Sequence, residues 1–283
     1  MTLDIIINVY NLEKTIESIY NKFDEELKNI KYNLIFVDNN STDKTLEILK
    51  NIQKKDDFRI KIISFSKKFD KNECFLAGIV NSKHDLVCLY DIENNYQINQ
   101  IGKMYDYLCN HTEYDQICIQ TNYKESNIFK KMKLNLFNKM YDLKFDYNNS
   151  FFRLMKKNVA NAIIEYSKEK PFSLYTFNEI GFNTYYMKSE NKKIDTINYK
   201  LLKEYSNNKN HIYNMITLIL LTLTFIYLLL IILELFAVNN NIVLLFILLT
   251  NIFNLYLHSL FNKSKIKTTY IVKEKIGFEE NVL

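Results

Sequence analysis

From Tyr32 to Lys54 the chain reads Tyr-Asn-Leu-Ile-Phe-Val-Asp-Asn-Asn-Ser-Thr-Asp-Lys-Thr-Leu-Glu-Ile-Leu-Lys-Asn-Ile-Gln-Lys. Its first part, 32–37, is a short apolar run with the length and composition of a buried strand. Asp38 follows, then a polar loop, and then an amphipathic run, 43–54, that reads as a helix opened by Ser41 or Thr42 as N-cap. A strand, an acid at its carboxyl end and a helix make one unit of an α/β sheet.

The same alternation runs outward on both sides. Residues 4–9, 59–65, 86–90 and 115–119 read as further strands, and 12–30, 72–81 and 98–109 as the helices between them. Right-handed crossovers turn such a series into an open, doubly wound, mainly parallel sheet with flanking helices. Ligands then sit at the carboxyl ends of the strands, after Val9, Val37 and Tyr90. A less regular part follows, with helical pattern at 127–143, an extended piece at 151–155, a helix at 157–168 and short strand-like pieces at 181–187 and 193–199.

Charge divides the chain more sharply than length does. All 37 Lys and Arg lie outside residues 210–262, where Glu234 is the only formally charged residue. The rest is about 30% charged, as a water-exposed domain is. Segments at about 213–236 and 242–261 are each long enough to span roughly 30 Å of hydrocarbon. The connection around Asn239, Asn240 and Asn241 is short and carries no Lys or Arg, whereas Lys200, Lys203 and Lys209 flank one end and Lys263, Lys265, Lys267 and Lys273 the other. By the positive-inside rule both ends lie in the cytoplasm. The expected organisation is a cytoplasmic domain over 1–210, a two-helix transmembrane hairpin over 211–262 and a cytoplasmic tail over 263–283. Asn251, Asn254 and His258 in the second span favour a protein interface over lipid, either in a homo-oligomer or against the first span.

Other classes are excluded by the same composition. The formal net charge of +5 is mild for this length and points to no nucleic acid. Cys74, Cys88, Cys109 and Cys118 have no C-x-x-C spacing and read as reduced, buried thiols. The first residues lead straight into a strand, so no signal peptide is expected.

Asp91 and Glu93 follow the apolar strand 86–90 two residues apart, which in extended backbone puts both carboxylates on one side. Two hard oxygens so placed suit Mg²⁺ or Mn²⁺ bridging a diphosphate. Asp38 and the amides after it are placed to bond a nucleobase or ribose.

Taken in order, Ile5-Ile6-Ile7-Asn8-Val9-Tyr10-Asn11 and Phe36-Val37-Asp38-Asn39-Asn40-Ser41-Thr42-Asp43-Lys44-Thr45 resemble the P-V-Y-N-E and V-D-D-G-S-x-D-x-T motifs of family-2 glycosyltransferases of the GT-A (Rossmann-like) fold. Ser64-Phe65-Ser66-Lys67-Lys68-Phe69 with Ala77-Gly78 resembles the family's S-R-N-F-G block and its A-G, and Asp91-Ile92-Glu93-Asn94-Asn95 its D-x-D-L-Q. Phe152-Arg153-Leu154-Met155 and the run from Tyr270 to Phe278 are similar to the branch that glycosylates polyprenyl phosphates. Asn8 stands where the family has Pro, Leu12 where it has an acid, and Asn39 and Asn40 where it has an acid and Gly.

The resemblance implies that Val9, Asn11 and Asp38 line a nucleotide pocket, that Asp91, Glu93 and Asn95 hold the metal and diphosphate, and that Arg153 and Lys209 hold phosphates. It implies an inverting hexosyl transfer from a UDP- or GDP-linked sugar to a polyprenyl phosphate on the cytoplasmic leaflet. A different lipid-linked or glycan acceptor, or a noncatalytic relative acting as an assembly partner, are the alternatives.

Overall fold

The computed structural model describes residues 1–92, 97–121, 148–189 and 270–278, with isolated positions at 132, 134, 135, 138, 139, 146, 220, 223 and 224. The chain divides into two compact units, Met1–Ile197 with Thr268–Leu283, and Asn198–Lys267. Everything below concerns the first.

The elements are β1 (Leu3–Val9), α1 (Ile16–Glu26), β2 (Tyr32–Asp38), α2 (Thr45–Lys55), β3 (Ile60–Phe65), α3 (Lys71–Asn81), β4 (Leu86–Tyr90), α4 (Asn99–Asn110), β5 (Gln116–Gln120), β6 (Arg153–Lys156), α5 (Lys157–Glu169), α6 (Thr176–Glu179), β7 (Thr184–Lys188) and β8 (Val272–Ile276). They build one eight-stranded sheet in the order β7-β5-β6-β4-β1-β2-β3-β8. β1 pairs in parallel with both β2 and β4, and β2 with β3, which gives the mainly parallel centre of a GT-A-like sheet. The expected run of parallel strands is interrupted at one place: β6 inserts between β4 and β5 and is antiparallel to both.

Both faces of the central strands are covered, which is why those strands are apolar throughout. Ile5, Ile7, Leu34, Phe36, Ile62 and Cys88 pack in one core with Phe23 of α1, Leu49 of α2 and Met104 of α4. Alternation sends Ile6, Val37 and Leu89 to the other face, toward α3. There Gly78 lets the helix approach: a Cβ on it would stand 2.2 Å from Ile6 Cγ2.

Two helix starts differ from expectation. α1 begins at Ile16 rather than near residue 12 because Leu12 and Glu13 give their amides to Thr45 Oγ1 and the Asp43 carboxylate across the loop. Neither Ser41 nor Thr42 caps α2; the Asp43 carboxylate accepts the Thr45 amide instead. Of the cysteines, none of which forms a disulfide, Cys74, Cys88 and Cys118 are buried, while Cys109 is exposed on α4.

β8 is an element that the periodicity did not announce. It pairs antiparallel with β3, and Lys50–Glu274 and Tyr270 stacked on Phe65 hold it there. Gly277 turns at φ 78° with its Cα against the Ile60 carbonyl, where any Cβ would lie 2.5 Å from that oxygen. β7 runs parallel to β5 and ends at the carboxyl end of the sheet, and β8 starts opposite Phe65 at that same end. The end of β7 and the start of β8 thus lie at the two edges of the sheet, both at the end where ligands bind in such sheets.

No helix among the described residues is long and apolar enough to cross a membrane. The spans expected over 211–262 lie outside the described residues apart from Leu220, Leu223 and Thr224, as do the pieces expected at 193–199 and most of 127–143.

Gly78→Ala is expected to destabilise the domain by about 1–3 kcal/mol, because Ile6 is buried and branched and has nowhere to go. Chemical denaturation checks this, and in an Ile6→Ala background the added loss should shrink, since the clashing atom is gone.

Candidate functional site at the carboxyl end of the sheet

Parallel register brings the ends of β1, β2 and β4 level, so Val9, Asp38 and Asp91 gather at one end of the sheet. Asp38 is 1% exposed, and its carboxylate accepts Ser64 Oγ at 3.1 Å and the Ser41 amide at 3.2 Å. Val9 is buried and its carbonyl accepts the Asn39 amide.

The loops after β1, β2 and β3 are tied to each other by side chains. Asn11 donates its amide to Ser41 Oγ, and its Oδ1 accepts the Thr42 amide at 2.8 Å. Asn39 grips the Phe69 backbone in both directions, donating to its carbonyl and accepting from its amide, each at 2.8 Å. The Lys68 ammonium lies 3.5 Å over the Tyr10 ring. Asn11 and Asn40 have φ of 53° and 59°, the left-handed region that Asn tolerates better than most residues. Asn40 thus serves where the resembling motif has Gly, and Asn39 does structural work where that motif has an acid.

Asp91 is 3% exposed, and Lys71, the first residue of α3, places its Nζ at 3.1 and 2.9 Å from the two carboxylate oxygens. This contact shows that the carboxylate points to the α3 side of the sheet. Asn8 shares that side by alternation from Ile6, one register step beyond the Ile7–Tyr90 pair. It is 5% exposed, and its Oδ1 is buried with no hydrogen-bond partner. A buried carboxylate and a buried unpaired amide oxygen are hard donors that fit Mg²⁺ or Mn²⁺. Among the described residues no three His, Cys, Asp or Glu converge, and the expected ligands Glu93 and Asn95 lie outside them. Burial, followed by the neighbouring Cys88 and Asp91, holds the Tyr90 hydroxyl well above its usual range, so it stays protonated.

A groove of about 950 Å³ lies on the opposite, α1 side of the sheet, lined by Leu12, Thr15, Ile19, Tyr90, Ile92 and Ile98 among others. The Asp91 carboxylate points away from it.

Arg153 pairs with Leu89 on β4, at the same end and on the same face as Asp91. It is 1% exposed, donates from Nε to the Ser150 carbonyl and from Nη1 to Gln116 Oε1 at 3.4 Å, and stacks 4.1 Å from the Phe177 ring. Among the described residues Nη2 is buried without a partner, and no carboxylate bridges the guanidinium. A buried cation satisfied only by neutral groups is costly and is a natural receptor for an anion.

Against known families, residues 4–189 match the model of glycosyl transferase family 2. The chain belongs to that family. CsbB of Bacillus subtilis, which carries the name of a glycosyltransferase, is 28% identical over 190 residues, 64% of this chain and 56% of CsbB. A dolichol-phosphate mannosyltransferase of Pyrococcus furiosus is 23% identical over 110 residues, 39% of this chain and 31% of that protein. Among solved structures, glucosyl-3-phosphoglycerate synthase of Mycobacterium tuberculosis, crystallised with Mn²⁺ and UDP, aligns at 16% identity and TM-score 0.47 over 69% of this chain and 72% of that one. The matched part spans little more than half of CsbB.

Of the residues singled out in the sequence, the fold gathers Val9, Asn11, Asp38, Asp91 and Arg153 at one end of the sheet, while Glu93, Asn95 and Lys209 lie outside the described residues. No motif in the sequence marks Lys71. It stands between the two quoted blocks, 64–69 and 77–78, at a helix start after a strand, the same position that drew attention to Asp38 and Asp91.

Asn40→Val should cost about 1–2 kcal/mol in thermal or chemical denaturation, since a β-branched side chain resists positive φ, while Asn40→Gly should be neutral to within about 0.5 kcal/mol.

Proposed function

We propose that this chain is a membrane-anchored, inverting glycosyltransferase that moves a hexose from a UDP- or GDP-linked sugar to a polyprenyl phosphate on the cytoplasmic leaflet. The observation that carries the reading is the charge arrangement at the carboxyl end of the sheet. At that end stand two buried acids able to take a nucleotide and its cation, Asp38 and Asp91, and, on the face of Asp91, the partly open Lys71 and the buried Arg153, both able to take phosphate.

Three further facts support the acceptor and the anchor. The uncharged run 210–262 is long enough for two spans. The last described residues of β7 and the first of β8 both lie at the ligand end of the sheet, so an even number of crossings between them would return the tail to β3. One relative is named as a dolichol-phosphate mannosyltransferase, and another for a dolichyl N-acetylglucosaminyl phosphate, a lipid-linked sugar. The expected domain limits, 1–210, 211–262 and 263–283, belong to the same proposal.

In this reading Asp38, with Val9 and the 38–41 loop, receives the nucleoside. Asp91, with Glu93, Asn95 and the Asn8 carbonyl, would hold Mg²⁺ or Mn²⁺, which when bound supplies charge neutralisation to the departing diphosphate. Arg153 offers its free Nη2 to a phosphate, and Lys209, just before the first span, meets the lipid phosphate. The acceptor phosphate, with a second pKa of about 6, is already anionic at neutral pH and attacks the anomeric carbon as the bond to the nucleoside diphosphate breaks. No general base is required, so the residues' task is to hold two anions in line and in reach.

Full-length protein in detergent, given a panel of UDP- and GDP-sugars with Mn²⁺ and a polyprenyl phosphate, should transfer one sugar, and Asp91→Asn should lower that rate by about 100-fold or more. Absence of transfer across the panel in folded protein would overturn the reading; transfer to a different lipid-linked acceptor would overturn only the polyprenyl phosphate.

Arg153→Lys should lose about tenfold or more in kcat/KM despite keeping the charge, because an ammonium cannot reach Ser150 and Gln116, lie on Phe177 and still present a donor. Steady-state kinetics with the acceptor varied checks this.

A further inference from the structure

The Lys71–Asp91 pair sits where the proposed function needs a divalent cation. Both carboxylate oxygens of Asp91 receive the Lys71 ammonium, within 3.1 Å, and the side chain of Asp91 is nearly closed to water while that of Lys71 is about a quarter open. An ion pair of this kind is usually read as static. Two features argue otherwise. Lys71 is the first residue of α3, so its stem rises from a helix end with the freedom to swing, whereas Asp91 is fixed at the end of a central strand. Beside them, Asn8 presents a buried amide oxygen with no partner, an acceptor that the fold leaves uncompensated on the same face. A static Lys–Asp pair gives no use to that oxygen; a cation entering between Asp91 and Asn8 does.

We infer that Lys71 is a charge-exchange residue of the donor site. In the protein alone its ammonium neutralises Asp91, and when a nucleotide sugar arrives with its cation, Lys71 yields the carboxylate and turns to the donor diphosphate. The exchange keeps the local charge balanced in both states. Without donor, a buried carboxylate is not left unpaired; with donor, the incoming cation takes the carboxylate while Lys71 adds a second positive group to the diphosphate. It also makes cation binding conditional on the donor, because a free metal ion must displace an ammonium whereas a metal–nucleotide complex gives that ammonium a new partner. This inference rests on the donor-site reading given above. Lys71 acts on the reaction through charge and placement.

The test is Mn²⁺ binding to the full-length protein, by electron paramagnetic resonance of the free ion, with and without UDP, in wild type, Lys71→Gln and Asp91→Asn. Without nucleotide, Lys71→Gln should bind Mn²⁺ about tenfold more tightly than wild type, on the scale by which one adjacent charge shifts a carboxylate's affinity for protons. With UDP the order should reverse, the variant binding the Mn²⁺–UDP pair more weakly. Loss of a merely structural contact would instead weaken both. Lys71→Arg, which keeps charge at the helix start, guards against misfolding and should show nucleotide-free Mn²⁺ affinity near that of wild type. Equal or weaker nucleotide-free affinity in folded Lys71→Gln overturns the exchange while leaving the donor site standing. Mn²⁺ affinity that is the same in all three proteins, Asp91→Asn included, overturns the cation site itself.

Discussion

Parallel pairing of β1 with its two neighbours is the constraint on which the site depends. Parallel strands that start level also end level, and here the ends carry Val9, Asp38 and, one residue past β4, Asp91. None of these residues needs a special loop to reach the others. The helices that return the chain between strands cover both faces with apolar side chains, which is why the centre of the sheet can be apolar on both sides and why polar groups appear only where the strands stop. Gly78 belongs to the same constraint, since it sets how near α3 comes to β1 and therefore where Lys71 stands relative to Asp91.

Charge then decides what such an end can do. Asp38 and Asp91 are both deeply buried, and each is held by donors on its own side: Ser64 and Ser41 for the first, Lys71 for the second. Arg153 meets no acid among the described residues and leaves one nitrogen unsatisfied. A fold that buries an unpaired guanidinium a strand away from an ion-paired carboxylate is arranged for ligands that bring negative charge with them. Membership of glycosyl transferase family 2 agrees with that arrangement.

Much of this was legible in the chain. Apolar runs of strand length alternating with amphipathic helices marked β1 to β5 and α2 to α4 closely, because burial on two faces leaves an unmistakable composition. The insertion of β6 between β4 and β5 was not legible, since pairing order depends on contacts distant in sequence. β8 was hidden for a related reason: Val272–Ile276 alternates apolar and charged residues as an edge strand does, and its partner lies some 200 residues away. The loop residues show where local reading stops. Ser41 and Thr42 read as a helix cap, yet they bond Asn11 across the two loops, a contact set by the fold and not by neighbours in sequence. Asp91 stands out in the sequence as an acid after an apolar strand, whereas Lys71 does not, because lysines are common in this chain and only the fold places one on that acid.

The most direct test of the account is a hydrogen-exchange comparison of the full-length protein with and without UDP and Mn²⁺, repeated with GDP. The account predicts slowed exchange confined to the ends of β1, β2 and β3 and the start of α3, at residues 9–12, 38–45 and 64–71, with one of the two nucleotides. Protection centred on α1 and the start of α4, the walls of the groove on the other side of the sheet, or none with either nucleotide, would contradict it.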